Sequence, residues 1–399
     1  MPPPAEPSPD RLTSSQAIVN PYPVYRSLRD RTPFRYLHFA AGAVQGVAEP
    51  VHAWALMHYA HVYGALRNHA VFSSAMGPDQ AAGKYPRHIL LNDDPPRHTT
   101  LRRLVNQAFG PKRIESLEPW ISGIARNLLD GLGTGEIDFV SAFGSPFPIQ
   151  VIAGLLGVPG NEYARFKQWS DAAISRKMPP LERKAHTLEM MAFFGRLSLE
   201  RRKEAAEDII SDLVGAELEG ESLSDWEVLG FCMLLLIVGN ETTTNLLGNL
   251  LHVLADRPEL WRRLRDDRAL VDAVIEESLR FDSPIRMVTR VTTQPAQIAG
   301  VEIPKGELVS LFCAAANRDP AEFPDPDDFQ PDRAMKNHLA FGQGIHHCLA
   351  APLARVEAKI ALNELLDRFA SVSRGQAPAV RQDESAVVYG LKSLPLLLQ

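Results

Sequence analysis

Phe341-Gly-Gln-Gly-Ile-His-His-Cys-Leu-Ala350 sets a lone cysteine in a tight, glycine-bearing loop with a histidine two residues ahead of it. A helix-like run follows at once, Pro352-Leu-Ala-Arg-Val-Glu-Ala-Lys-Ile-Ala361. Backbone N–H groups at the start of such a helix point at the sulfur and favour its thiolate form, which a metal would neutralise. Zinc held by His338, His346, His347 and Cys348 competes with a single-thiolate reading. Those residues bring neither a second cysteine pair nor a regular histidine spacing on a helix, and zinc leaves Phe341 and Gly344 without a role.

The rest of the chain limits what this loop can serve. At 399 residues and 45% apolar composition there is ample material for a large core. A net charge of −6 gives no reason to expect nucleic acid or an anionic membrane as partner. The three cysteines, Cys232, Cys313 and Cys348, are odd in number and lack CxxC spacing, against a disulfide framework and in favour of a reducing cytoplasm. The N-terminus lacks the basic and apolar regions of a signal peptide. The longest apolar run, residues 228–238, is about half a membrane span. A soluble, cytoplasmic protein with no membrane segment is expected.

Residues 1–20 read as a flexible Pro-rich tail and residues 21–399 as one domain. A short helix is expected over 21–29 and strands over 33–39 and 53–59. Helical periodicity covers 114–132, 139–156, 163–170, 181–205, 226–254, 261–265 and 270–281. Short β-branched runs between Pro and Gly over 283–311 predict a small sheet, and 318–337 an irregular meander. The fold class is mainly α with a small β region.

Two helical stretches carry unusual polarity. Ser224-Asp-Trp-Glu227 is a capping box ahead of the long apolar run. That run is broken at Val238-Gly-Asn-Glu-Thr-Thr-Thr-Asn245. Glycine costs about 1 kcal/mol inside a helix relative to alanine, and a buried carboxylate costs more unless paired. Either the helix surfaces here, with Thr hydroxyls bonded to their own i−4 carbonyls, or the patch has a chemical task. Glu277-Ser-Leu-Arg280 places opposite charges three apart on one helix face, an arrangement that is usually a solvated surface pair.

Among cofactors held through one cysteine, haem is the main candidate. The loop resembles the haem-binding motif of the cytochromes P450, Phe-x-x-Gly-x-His/Arg-x-Cys-x-Gly. Phe341, Gly344, His346 and Cys348 match, and Ala350 stands where the family carries Gly. Gly239-x-Glu241-Thr242 resembles the family's acid–alcohol pair, with Val238 at a place where many relatives have Ala or Gly. Glu277 and Arg280, with Arg333 in Phe329-x-Pro-Asp-Arg333, resemble its Glu-x-x-Arg network, with Ala334 in place of the usual aromatic. Five elements in the family's order span the chain from His98 to Arg355.

The resemblance implies a roughly triangular single-domain fold, a haem b cofactor with Cys348 as the axial ligand, and monooxygenase chemistry on a small hydrophobic substrate. Substrate displaces water from the iron, two electrons and two protons cleave dioxygen, and a hydroxyl (or an epoxide oxygen) goes to carbon. In the family the long helix opens locally so that Thr242 and water reach the oxygen while Glu241 relays protons. His98, Arg102, Arg290 and His346 stand at places that contact the haem propionates. Glu277, Arg280 and Arg333 act structurally behind the cysteine loop. Pocket walls fall at residues 76–91, 170–181, 235–242, 285–289 and 389–391, including Leu235, Val238, Ile285, Val288 and Leu391. Arg286 is a possible anchor for a substrate carboxylate.

With no room for a fused flavin domain, electrons come from a ferredoxin and its reductase. Arg97, Arg102, Arg103, Lys112, Arg113, Arg355 and Lys359 offer a basic patch to that partner, and the enzyme is expected to be a monomer. Two other thiolate-haem enzymes compete, one that couples phenols and one that uses peroxide. Glu241 and Thr242 argue against peroxide, which needs no proton relay. A haem-based sensor or carrier is the non-enzymatic alternative, and an acid–alcohol pair would have no task there.

Overall fold

The structure, a computed structural model, describes residues 8–39, 49–75, 90–106, 109–174, 178–218, 220–334 and 337–399. The chain folds mainly into α-helices with small β-sheets. Its internal contacts separate into two compact units, residues 1–76, 277–348 and 381–389 in the first, and 77–276, 349–380 and 390–399 in the second.

The first unit is built on a five-stranded sheet in the order Phe34–Phe39, Val51–Leu56, Leu308–Leu311, Val288–Thr292, Phe72–Ser73. Only the second and third strands pair parallel; the other pairs are antiparallel. Alternation in Phe34-Arg-Tyr-Leu-His-Phe39 turns Tyr36 and His38 inward. The hairpin Ala296–Ile298 with Val301–Ile303 turns at Ala299 (φ +49°) and Gly300 (φ +79°), the left-handed pair of a tight hairpin.

Two expectations are corrected here. The tail is not loose from Ser8 onward: Pro9–Thr13 and Ser15–Val19 are helical, and Leu12 and Ala17 lie in a core cluster with Tyr25, Leu28 and Phe312. The strand placed over 53–59 stops at Leu56, and Tyr59–Arg67 is a helix. Its first N–H, on Tyr59, donates to Asp319 Oδ2 at 2.8 Å. That cap comes from 260 residues away, so no local pattern could announce it.

The meander keeps its irregular form, and a buried ion pair organises it. Glu277 and Arg280, 0% and 1% exposed, sit one turn apart on the helix Leu270–Phe281. Arg280 donates Nε and Nη2 to the two Glu277 oxygens at 2.7 Å each. Its remaining N–H groups go to the carbonyls of Asn317, Pro326 and Asp328 at 2.9, 2.8 and 3.0 Å. Glu277 Oε1 also accepts from Gln330 N at 2.8 Å and lies 3.6 Å from Arg333 Nε. Arg318 sits beside it, paired with Asp282 at 3.0 Å and stacked on Tyr22 and Phe281.

The second unit holds most of the helices. The longest, Asp225–Leu254, starts at the expected capping box, with Ser224 and Glu227 exchanging bonds in both directions. It is the one described helix long and apolar enough to cross a membrane, and 67% of its most apolar stretch is buried inside the protein. Residues 139–156 are two elements, a π-helical turn Val140–Gly144 and the helix Pro146–Leu155. Pro146 and Pro148 cannot donate to an α ladder, and Ser145 N closes the wide turn on Val140 O instead. The helix Pro180–Lys203 runs close to its expected limits, whereas Tyr163–Ile174 and Ala351–Arg368 extend four and seven residues past the expected ends at 170 and 361.

Removing one partner of the Glu277–Arg280 pair strands the other charge in a dry site. Arg280→Ala is expected to destabilise the protein by about 3–5 kcal/mol, read by chemical denaturation. Arg280→Met combined with Glu277→Leu, which leaves neither charge, should recover only a part of that loss, because the carbonyls of Asn317, Pro326 and Asp328 and the N–H of Gln330 lose their partners.

Candidate active site

The cysteine loop is held by its own backbone. Cys348 N donates to Phe341 O at 2.9 Å, closing the eight-residue loop on itself. Gly342 and Gly344 have φ of +68° and +72°, a region that disfavours side chains. At Gly344 close approach adds to the strain: a Cβ would lie 2.7 Å from Leu66 O and 3.0 Å from Arg67 Cα. The loop is thus pressed on the end of the helix Tyr59–Arg67, within the first unit. Gly344–His346 is a single 3₁₀ turn, and the Phe341 ring stands beside those of His338 and His347, at 5.9 and 6.4 Å. Ala350, φ −91°, caps the helix Ala351–Arg368 in a conformation open to any residue, so the departure from glycine costs no backbone strain.

The three cysteines divide sharply. Cys232 and Cys313 are buried, and burial pushes both thiols upward, that of Cys313 to about 12. Cys348 alone is part-exposed. Among the described residues no group of three or more His, Cys, Asp or Glu side chains could hold a metal ion. A donor set of one accessible thiol in a rigid loop fits a cofactor that takes a single protein ligand, and lacks the partner ligands of zinc.

The first unit also contains His346 and Arg290. His346 is half-buried. Arg290, 7% exposed on the strand Val288–Thr292, donates to Thr289 O at 2.8 Å. Ile285 and Val288 are part-buried. Arg286 is not an anchor for substrate. It is 2% exposed, donates to Ala17 O at 3.1 Å and to Ile18 O, and lies 4.8 Å from the centre of the Tyr389 ring.

In the second unit, the polar patch of the long helix does not interrupt it. The α-helix runs unbroken through residues 239–244, so the local opening that the resemblance implies is not present. Thr242 Oγ1 donates to Val238 O at 2.7 Å and Thr243 Oγ1 to Gly239 O at 3.4 Å, the i−4 bonds that the polar sequence allows. Each neighbour is docked against a different element. A Cβ on Gly239 would lie 3.1 Å from Ile152 Cγ1, and Asn240 Nδ2 donates to Ser170 Oγ at 2.6 Å.

Residues 238, 241, 242, 245 and 248 lie along one stripe of this helix. Val238 is 39% exposed, Glu241 and Thr242 are part-buried, and Asn245 is 2% exposed. Gly390 covers Asn245, and Leu391 packs on Gly248. Leu391, 5% exposed, therefore closes the far end of the stripe, six residues beyond Thr242 and about 9 Å further along the axis. Leu235 is 3% exposed and belongs to the core, so it offers no open wall. His98, 2% exposed, and the part-buried Arg102 share the helix Arg97–Asn106. Residues 76–89 and 175–177, expected as pocket walls, lie outside the described residues.

The basic set is smaller than its sequence suggests. Arg97 pairs with Glu221 and Glu227, Arg355 grips Glu276 through two bonds of 2.6 and 2.9 Å, and Lys359 meets Asp272 at 2.9 Å. Arg103 and Lys112 are exposed.

Gly344→Ala should displace the cysteine loop from Leu66. The expected result is a lower thermal midpoint by several degrees, corresponding to about 1–3 kcal/mol for a strained φ and a backbone clash, measured by calorimetry. Gln343→Ala, next door but without that contact, should leave it unchanged.

Comparison with known proteins identifies this arrangement. The family profile "Cytochrome P450" matches residues 161–398. A putative cytochrome P450, YjiB, of Bacillus subtilis is 37% identical over 95% of this chain and 94% of its own length. Cytochrome P450 CYP109Q5 from Chondromyces apiculatus superposes with a TM-score of 0.85 at 38% identity, covering 97% of each chain. CYP109E1 from Bacillus megaterium, solved in complex with testosterone, gives 0.82 at 37% identity over 95% of this chain and 99% of that one. The chain belongs to the cytochrome P450 family, oxidoreductases of the monooxygenase type that use haem b.

Proposed function

We propose that the protein inserts one atom of dioxygen into a small hydrophobic organic molecule, by hydroxylation or epoxidation, with electrons from a ferredoxin and its reductase. The observation that carries this reading is the single accessible thiol, Cys348, in a loop that backbone and glycine geometry hold in one shape. Haem b, when bound, supplies the binding of dioxygen and the chemistry of its cleavage. Cys348 is its iron ligand; His98, Arg102, Arg290 and His346 supply the positive charge and N–H donors that propionates need, and Phe341 and Gly344 shape the loop.

The remaining residues bind and move protons. Thr242 would offer the proton on its Oγ1 once the hydroxyl turns from Val238 O, and Glu241 would carry protons on its carboxyl oxygens to replace it. Val238, Ile285 and Val288 present apolar surface to the substrate. Testosterone in the similar CYP109E1 structure has the size and apolarity of the molecules we have in mind. Glu277, Arg280 and Arg333 serve the site indirectly by fixing the chain that leads into the loop. The chain, its N-terminal helices over 9–19 included, acts as one catalytic domain in a cytoplasmic monomer, with none of the three cysteines in a disulfide. Arg103 and Lys112 meet the ferredoxin.

Reduced protein under carbon monoxide should show the thiolate-haem band, and Cys348→Ser should abolish it; an unaltered spectrum in the variant would refute the ligand assignment. In the intact enzyme Thr242→Ala should lower product formed per NADPH by roughly tenfold or more and raise peroxide release. A sensor or carrier would give no product from either form. Ligand-induced spin shifts, screened from testosterone to fatty acids and macrolides, identify the substrate class.

Arg103→Ala and Lys112→Ala are each expected to slow reduction by ferredoxin about 3- to 10-fold at low salt, with less effect at high salt. Affinity for the spin-shifting ligand should stay the same. Stopped-flow reduction checks both.

A further inference from the structure

Asn245 stands one turn after Glu241 on the long helix and is sealed from solvent, 2% exposed. Its Nδ2 donates to Glu241 Oε1 at 3.2 Å. An amide in this place needs a reason, because asparagine is a poor helix former and an amide buried without partners is costly. Its other side lies against the backbone of Gly390. A Cβ on residue 390 would come 1.7 Å from Asn245 Oδ1, 2.2 Å from Cγ and 2.9 Å from Cβ. Backbone strain does not demand glycine there, since Gly390 is outside the left-handed region. The only requirement is room for the Asn245 amide.

A hydrogen bond received at Oε1 has a chemical consequence. When the carboxyl is neutral, its proton is favoured on Oε2, because Oε1 accepts the N–H more strongly as a carbonyl than as a hydroxyl. The same bond removes freedom from a side chain with three rotatable bonds. We propose that Asn245, held in place by the close approach of Gly390, is a positioning residue that fixes the Glu241 carboxyl and presents its proton on Oε2. This rests on the reading of Glu241 as the proton carrier.

The test uses haem-loaded enzyme with a surrogate ferredoxin, its reductase and testosterone as probe. It follows NADPH oxidation, the solvent deuterium isotope effect on that rate, and the spin-shift affinity. Asn245→Asp keeps the shape and loses the donor, and Asn245→Ala loses both. Each should slow NADPH oxidation about 10- to 150-fold, the range for losing one hydrogen bond to a charged group, and enlarge the isotope effect, with affinity changed by less than about twofold. Gly390→Ala should reproduce Asn245→Ala, and the double variant should be no slower.

A readout independent of turnover is the thermal-unfolding cycle of Asn245→Ala with Glu241→Ala, each of which removes the bond, so that the two losses should not add. Additive losses, or Asn245→Asp oxidising NADPH at the unmodified rate while Glu241→Gln is slow, would overturn the inference alone. Glu241→Gln at the unmodified rate would overturn the proton-carrier reading and the inference with it.

Discussion

The bond pattern around Arg280 is the constraint on which the cysteine loop depends. Taking a carboxylate and a guanidinium out of water costs several kcal/mol per ion even after relaxation. Here nearly every donor and acceptor of the pair is used, and most of the bonds run to main-chain groups between Asn317 and Gln330. That stretch has neither ladder nor helix to satisfy its backbone, so the ion pair takes the place of secondary structure. The chain of support continues to the loop. Arg280 holds Asn317 O at 2.9 Å, the Asn317 side chain accepts from Leu339 N at 2.6 Å, and Phe341 O two residues later accepts from Cys348 N at 2.9 Å. A charge pair that would be worth little on a surface thus helps to support the loop that carries Cys348.

How much of this was legible follows from the range of each interaction. The capping box Ser224–Glu227 and the helix Leu270–Phe281 rest on bonds between residues three or four apart, and their patterns are visible in the sequence. The Glu277–Arg280 contact is equally local, but its burial is not: the surface reading that suits most such pairs fails because partners some 40 to 50 residues downstream cover it. The cap on Tyr59 from Asp319 and the seat of Arg286 on Ala17 and Ile18 have no local trace at all. The sequence offers Arg286 as a free cation, and only the folded chain spends it on the N-terminal helix.

The candidate site shows the same division. Cys348 with Phe341 and Gly344 was readable because one loop has to solve several steric problems within eight residues, and few sequences do so. Asn245 carries no such local signal. It reads as the last polar residue of a patch, and its meaning lies in Gly390, 145 positions away.

The polar patch itself is better understood as a set of docking positions than as an interruption. At 100° per residue, adjacent side chains leave the helix in different directions. Gly239 meets Ile152, Asn240 meets Ser170, and Asn245 meets Gly390, so each polar or small residue answers a separate neighbour. Val238, Glu241 and Thr242 remain on the uncovered part of one stripe, which ends where the chain's last turn lies over Asn245 and Gly248. Val238, an apolar side chain at the centre of this unbroken helix, is 39% exposed. Beside it lie the Glu241 carboxyl, bonded by Asn245 Nδ2, and the Thr242 hydroxyl, whose bond to Val238 O needs only a rotation about one side-chain torsion to exchange. Glu241 and Thr242 are thus flanked on either side by docked neighbours, Asn240 on Ser170 and Asn245 on Gly390.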